Sequence, residues 1–412
     1  MLMLMLTLAL VPATAQASSL VQRVSAAVAQ SDVGASTSVI IYSVDQQSVL
    51  YRRAAGKPVS PASNMKVPTA IAALKVLGPE RRFATSIFTR GDIVDGVLNG
   101  NVYLVGGGDP TLSTSQFARR HYDVPTATVE KLVRLLTTAG ITHVTGKLVV
   151  DETWFDTQRF VSTWRKGFRY DEATALGALT VNQSYYGRRM SGRASRQPAL
   201  QSGSQFRAAL TRADITIDGP TVRNRKPDAA VKLGEVQSMP LSDIVRFMLT
   251  TSDNFTAEIV LKDIGRVGAN SGSTSGGLAA ERSALTQLGA DNRALRAHDG
   301  SGLSYTNRMT TRYVSNLFNI ADRDTTIGPA FRAALAIGGE SGTLKHRFTK
   351  HPYRSHVIGK TGTLTVSSAL SGWSTRADGT RYGFSIISYS SRGVNISQAK
   401  RLQNLVGQIL VK

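Results

Sequence analysis

The apolar positions of this chain fall into blocks of period two and blocks of period 3.6, and the order of those blocks predicts its architecture. A helical stretch over residues 19–30 is followed by "TSVIIYSVDQQSVLYRR", two β-branched runs about the polar centre Asp45-Gln46-Gln47, which predicts a hairpin. In "PVSPASNMKVPTAIAALKVLGPE", Pro61 stands near a helix start, Ile71, Leu74 and Leu77 repeat at helical spacing, and Gly78-Pro79 ends the run. From about residue 83 the texture changes to short strand-like pieces with turns. One helix interrupts them in "VEKLVRLLTTAG", with Val129, Leu132, Val133 and Leu136 on one face. Strand signals resume in "HVTGKLVVDETWF", and the mixed region runs to about residue 235.

Beyond it, "PLSDIVRFMLTTSDNFTAEIVLKDIG" predicts two helices joined through residues 250–254, with Ile244, Val245, Met248 and Leu249 toward the core. The chain closes with "VIGKTGTL", "SSALSGWST", an Asp378-Gly379 turn, "RYGFSIISYS" and a helix from about Ser397. That is the pattern of an antiparallel sheet covered by a helix, and the N-terminal hairpin can complete the same sheet. The expected fold class is α/β of the α+β kind. The expected domains are one formed by residues 18–82 and 236–412, and a mixed α/β domain, 83–235, inserted into it.

Composition adds a compartment. Residues 1–17, "MLMLMLTLALVPATAQA", form a short apolar run ending in the small-x-small pattern Ala15-Gln16-Ala17 that signal peptidase cuts. Export is therefore expected, with mature protein from about Ser18. The run lacks the usual preceding Lys or Arg, which leaves room for a start further upstream. It is too short to span a bilayer, and no other stretch is long and apolar enough. The chain has 412 residues, 42% of them hydrophobic, enough for a sizeable core and more than one domain. Cysteine is absent, which excludes disulfides and thiolate chemistry.

Lys plus Arg outnumber Asp plus Glu by 49 to 28, a net charge of +21. Such a balance favours an anionic partner: nucleic acid, a membrane surface or the acidic polymers of a bacterial wall. Export argues against nucleic acid and leaves a membrane surface or the wall polymers. The densest basic cluster, Arg188, Arg189, Arg193 and Arg196, reads as a solvated, exposed loop.

Candidate chemistry lies in three short motifs taken in order. Ser63 precedes Lys66 by three positions, which on a helix puts both side chains on one face. A serine hydroxyl needs a base to become a nucleophile, and a lysine serves once burial or another cation makes its charge costly. The pattern alone is weak, since Ser397-Gln-Ala-Lys400 matches it too and reads as ordinary surface in the last helix. What distinguishes the first match is its company: Ser252-Asp253-Asn254 between two helices, then Lys360-Thr361-Gly362 on a strand. In this reading Ser63 attacks a carbonyl and Lys66 is the base. Ser252 and Asn254 return the proton to the leaving amine. Lys360 depresses the proton affinity of Lys66 and, with Thr361, attracts a substrate carboxylate. Gly362 leaves room for substrate along the strand, and the Ser63 and Thr363 amides form an oxyanion hole.

Other chemistries find no support. Gly106, Gly107 and Gly108 are followed by no Lys-Ser or Lys-Thr, so they read as a tight turn rather than a phosphate loop. The six histidines lack metal-ligand spacing with a carboxylate, and there is no G-x-S-x-G elbow. No cofactor and no metal are expected.

The three motifs are the signature of penicillin-binding proteins and serine β-lactamases. The chain resembles the D-alanyl-D-alanine carboxypeptidase/endopeptidases of the class C low-molecular-mass penicillin-binding proteins, the DacB type, over nearly its whole mature length. "YLVGGGDPTL", "VVDETWFD", "ALTVNQS" and "HDGSGLS" look like the secondary signatures of that family. The resemblance implies a serine DD-peptidase/β-lactamase-like fold with a helical subdomain. It also implies peptidoglycan stem peptides ending in D-Ala-D-Ala as substrate, an acyl-enzyme on Ser63, and β-lactams as covalent inhibitors. Asp151 resembles an acidic residue that in relatives approaches the substrate's side-chain amine, a reading that stands beside a structural role in its strand. The family commonly has Arg after "DGSGLS", whereas Tyr305 stands here, so the preference for the third stem residue is expected to differ or to pass to Arg308. The insertion is shorter than the family's, and Ser341 replaces a common Asp. The alternatives are a serine β-lactamase, disfavoured by the long interval from Ser63 to Ser252, and a non-catalytic wall-binding protein with a degenerate peptidase fold.

Overall fold

Two sheets organise the chain in the computed structural model, which describes residues 13–187 and 189–412. Residues 1–12 of the expected leader, and Arg188 of the arginine-rich loop, lie outside the described residues. Arg189, Arg193 and Arg196 of that loop are exposed, as anticipated. Among the described residues no helix is long and apolar enough to cross a membrane.

The first sheet has six strands in the order Ala336–Ile337, Val357–Leu364, Ser367–Thr375, Arg381–Tyr389, Thr37–Ser43 and Ser48–Arg53. Every pair is antiparallel. The N-terminal hairpin does complete it, since Thr37–Ser43 pairs with Arg381–Tyr389 in a register that sets Ile40 opposite Ser385. Alternation along each strand then sends side chains to two separate cores. Ile41, Leu370 and Ile386 face the helices Ala13–Ala29 and Ile396–Val411, packing with Leu20, Val24, Leu402, Val406 and Leu410. Their neighbours Tyr42, Ala369 and Ile387 face the other way, into a larger core with Ile71, Met248, Val260, Leu317 and Phe318 from the helices Lys66–Leu77, Leu241–Thr251, Asn254–Gly268 and Thr311–Arg323. The last helix begins at Ile396, one residue before the expected start, because Asn395 caps it by accepting from the Gln398 amide.

The strands of the second sheet all lie between residues 84 and 237. The short strand-like pieces expected after residue 83 are in fact a continuous hairpin, Ala84–Val94 with Val97–Gly106, turning at Asp95-Gly96. The register runs unbroken through Gly91 opposite Gly100, where the sequence pattern looks interrupted. Leu148–Asp151 adds in parallel to Val97–Gly106. Val129, Leu132, Val133 and Leu136 face the core of this sheet, as their spacing predicts, together with Phe206 and Leu210 of the helix Pro198–Thr211. The chain leaves and re-enters the first unit side by side: Phe83 and Ser238 exchange backbone and hydroxyl hydrogen bonds of 2.9 and 3.0 Å.

Candidate active site

The Ser63 motif sits where a 3₁₀ turn, Ala62–Met65, runs into the helix Lys66–Leu77. The sequence pattern predicts a helical spacing there, and the tighter turn serves better, since three residues per turn eclipse positions i and i+3. Ser63 Oγ lies 3.2 Å from Lys66 Nζ. The turn is bolted to the sheet behind it: Asn64 donates to Ser371 Oγ at 2.9 Å, and Ser367 Oγ donates to the Ser60 carbonyl at 2.6 Å. Ser63 is only half-buried, whereas Lys66 is wholly buried.

Lys66 Nζ has two further contacts, donating to Asn254 Oδ1 at 2.6 Å and to the Ser301 carbonyl at 2.7 Å. Three acceptors match the three protons of an ammonium. Once one proton is lost, the longest of these contacts, Ser63, is the one that can reverse and donate to the lone pair. Asn254 is held in turn, its amide donating to the Glu172 carbonyl at 2.9 Å. Ser252 occupies the left-handed region, φ 63° and ψ 34°, at the end of the helix Leu241–Thr251, and Asp253 caps the next helix by accepting from the Thr256 amide at 2.7 Å. This break between helices is what turns Ser252 and Asn254 toward two different lysines.

The second lysine, Lys360, donates to Ser252 Oγ and to the Thr361 carbonyl, both at 2.9 Å. It stands on Val357–Leu364, which pairs with Ser367–Thr375 on one side along its full length. On the other side Ala336–Ile337 reaches only Gly359 and Ile358, so residues 360–364 have no strand partner there among the described residues. That open edge is a template for an extended peptide. Gly362 brings the edge against Ser63: a Cβ at this position would sit 2.9 Å from the Ser63 nitrogen and 3.0 Å from the Pro61 carbonyl oxygen. Thr361 Oγ1 donates to Thr343 Oγ1 at 2.8 Å, and Thr363 is exposed.

Burial sets the electrostatics. It brings the pKa of Lys66 down from 10.5 to about 8, against the opposing pull of Asp253, Asp299, Glu258 and Glu172. Burial also drives Lys360 well below its ordinary range, with the charge of Lys66 adding to the effect. The sequence offered both burial and the charge of Lys360 as reasons for a depressed Lys66. Desolvation is the larger cause for both lysines, and the repulsion between them comes second.

Two residues expected at the substrate are placed differently from the motif residues. Asp151 ends a strand of the second sheet, buried, and its oxygens accept from the Thr153 amide at 2.9 Å, the Thr153 hydroxyl at 2.7 Å and the Lys226 amide at 2.7 Å. These bonds are those of a turn-forming aspartate. Tyr305 is half-buried in the loop after Ser301, and the guanidinium of Arg165 lies over its ring, 3.7 Å from the centroid. Arg308 is engaged elsewhere, donating to the Tyr305 and Asn307 carbonyls and to the Tyr389 hydroxyl. The guanidinium over the Tyr305 ring is thus supplied by Arg165, from the chain between Ser63 and Ser252. Sequence reasoning also missed the Ser301 and Glu172 carbonyls, which carry no side-chain signal. It missed Glu258 as well, although a glutamate one turn after Asn254 inside the apolar run "NFTAEIVL" was a visible cue.

The fold is shared with solved structures. Penicillin-binding protein 4 of Haemophilus influenzae superposes with a TM-score of 0.78 at 20% identity, covering 96% of this chain and 99% of that one. A predatory peptidoglycan endopeptidase of Bdellovibrio bacteriovorus gives 0.58 at 16% identity, covering 90% and 92%. The architecture is therefore that of the penicillin-binding serine peptidases. The chain belongs to the D-Ala-D-Ala carboxypeptidase 3 (S13) family, whose model matches residues 20–187 and 176–408. Among curated relatives, a D-alanyl-D-alanine carboxypeptidase of an Actinomadura species is 28% identical over 87% of this chain and 79% of its own. A carboxypeptidase of Mycobacterium tuberculosis is 31% identical over 82% of this chain and 73% of its own.

Proposed function

We propose that this chain is an exported serine carboxypeptidase and endopeptidase that cleaves peptidoglycan stem peptides at D-Ala-D-Ala through an acyl-enzyme on Ser63. The observation that carries the reading is the 3.2 Å contact between Ser63 Oγ and the ammonium of a wholly buried Lys66. Substrate lies along the open edge of residues 360–364, its terminal carboxylate met by Lys360 and Thr361. Ser63 Oγ bonds to the scissile carbonyl carbon as its proton passes to Lys66, and the Ser63 and Thr363 amides receive the developing oxyanion. Ser252 and Asn254 link the two lysines to the leaving nitrogen, which takes a proton as its bond to carbon breaks and D-Ala departs. Water then adds to the ester, and breakage of the bond to Ser63 Oγ restores the enzyme. β-Lactams acylate the same serine, a reading supported by the Haemophilus influenzae protein having been solved with a β-lactam. Residues 83–235 form an inserted domain, and the net charge of +21 favours retention on anionic wall polymers.

The test is covalent labelling with a fluorescent penicillin, followed by digestion of monomeric and cross-linked muropeptides read by mass spectrometry. Wild type should label and remove terminal D-Ala, while Ser63→Ala should do neither. A folded wild type that takes no label and leaves both D-Ala and cross-links intact would sink the proposal. Rapid turnover of the drug would favour a β-lactamase.

A further inference from the structure

Behind the two lysines lies a buried carboxyl group that the mechanism above does not use. Glu258 stands one turn after Asn254 on the helix Asn254–Gly268, so both project from one face toward Lys66. Asn254 reaches Lys66 directly. Glu258 reaches it through one intermediary: its Oε1 accepts from the Gly300 amide at 3.1 Å and the Ser301 amide at 2.8 Å, and the Ser301 carbonyl accepts from Lys66 Nζ at 2.7 Å. The loop is held from its other sides too. Thr69 donates to the Gly300 carbonyl at 3.1 Å and to Glu281 Oε2 at 2.9 Å, and Asp299 accepts from the Gly302 and Ser304 amides.

We infer that Glu258 is a positioning residue for acylation: its grip on the Gly300 and Ser301 amides aims the Ser301 carbonyl at Lys66, and its charge sets the pH at which Lys66 becomes a base. The inference rests on the assignment of Lys66 as the base for Ser63. Glu258 is wholly buried, and its second oxygen, Oε2, has no hydrogen-bond partner among the described residues. A carboxylate so placed is costly, and burial raises its pKa to about 8, with Asp299 adding to the rise. That is the range to which burial lowers Lys66, and the Glu258 charge is one of the interactions that hold the Lys66 pKa up, so each group feels the other's protonation. The titratable groups around them are Lys360 beside Lys66, Asp299 in the loop, Glu281 on the helix Thr274–Gln287, Lys262 on the helix of Glu258, and Asp253 and Glu172 toward Lys66. An ionised Glu258 favours the ammonium. Glu258 is ionised only in the upper part of the Lys66 titration, so removing its charge lowers the midpoint of that titration and leaves its foot below about pH 7 in place.

The test compares the pH profile of Ser63 acylation by a fluorescent penicillin in wild type, Glu258→Gln and Glu258→Ala, with thermal melting to measure the folded fraction. The Gln variant keeps an acceptor for both amides but no charge. Its plateau rate should stay within about threefold of wild type, while the midpoint of its profile moves to lower pH and the foot stays in place. The Ala variant loses the grip, and its plateau should fall at least about tenfold. A midpoint unmoved in Glu258→Gln would overturn the inference, and this variant decides alone should Glu258→Ala fail to fold. Failure of the underlying assignment looks different, because wild type itself would then take no label.

Discussion

Acylation of Ser63 should switch on as the pH rises through about 8, because the base that takes its proton is a buried lysine whose pKa has come down from 10.5 to that value. A shift of this size corresponds to about 3 kcal/mol of preference for the neutral amine. At pH 7 about one Lys66 side chain in ten is then free to accept a proton, against roughly one in three thousand for a solvated lysine, a gain of about 300-fold. The assay is single-turnover labelling by a fluorescent penicillin from about pH 6 to about pH 9.5, where the rate should climb about tenfold per unit and level off above about pH 8. Lys66→Met should remove both the climb and most of the rate. The same shift bears on stability with a definite sign. Below about pH 8 the unfolded chain binds a proton at this lysine more readily than the folded one, so the cost of burying it is fully present; it fades as the pH climbs toward 10.5. Rates must therefore be normalised to the folded fraction. A flat normalised profile, or a midpoint near that of a solvated lysine, would refute the reasoning.

Gly302 should resist substitution: it has φ +91°, and a Cβ there would lie 2.0 Å from the Ala62 carbonyl oxygen, next to the nucleophile. Gly302→Ala should lose about 2–4 kcal/mol, read from the urea midpoint, with an unchanged midpoint counting against the packing described. Arg165→Ala removes a guanidinium stacked on Tyr305, which should raise the KM for stem peptides roughly two- to fivefold. Penicillin acylation should not change; an equal loss with both substrates would show that the pair supports the fold rather than selecting the substrate.

Much of the site was legible because its side chains obey short-range rules. Ser63 and Lys66 meet because three positions separate them in a helical turn, Ser252-Asp253-Asn254 falls between two helical stretches, and Lys360-Thr361-Gly362 reads as a strand from its surroundings. The same rules cannot rank two equal matches. Ser397 and Lys400 repeat the spacing of Ser63 and Lys66, yet both are exposed on the last helix, whereas Lys66 is wholly buried. Burial is what changes a lysine into a base, and burial belongs to the packing of distant segments.

The sequence by itself determined the order of elements, the two core-facing periodicities and the identity of the motif side chains, since each depends on neighbours within a few residues. Only the tertiary structure decided which carbonyls hold Lys66 and Asn254, because every residue has a carbonyl and none is marked by its letter. It alone showed that Arg165 stacks on the Tyr305 ring while Arg308 is tied to the Tyr305 carbonyl, and that Asp151 closes its own turn. It alone set desolvation above charge repulsion in lowering Lys66. These outcomes follow from contacts between segments far apart in the chain, and no local spacing encodes the dielectric they create.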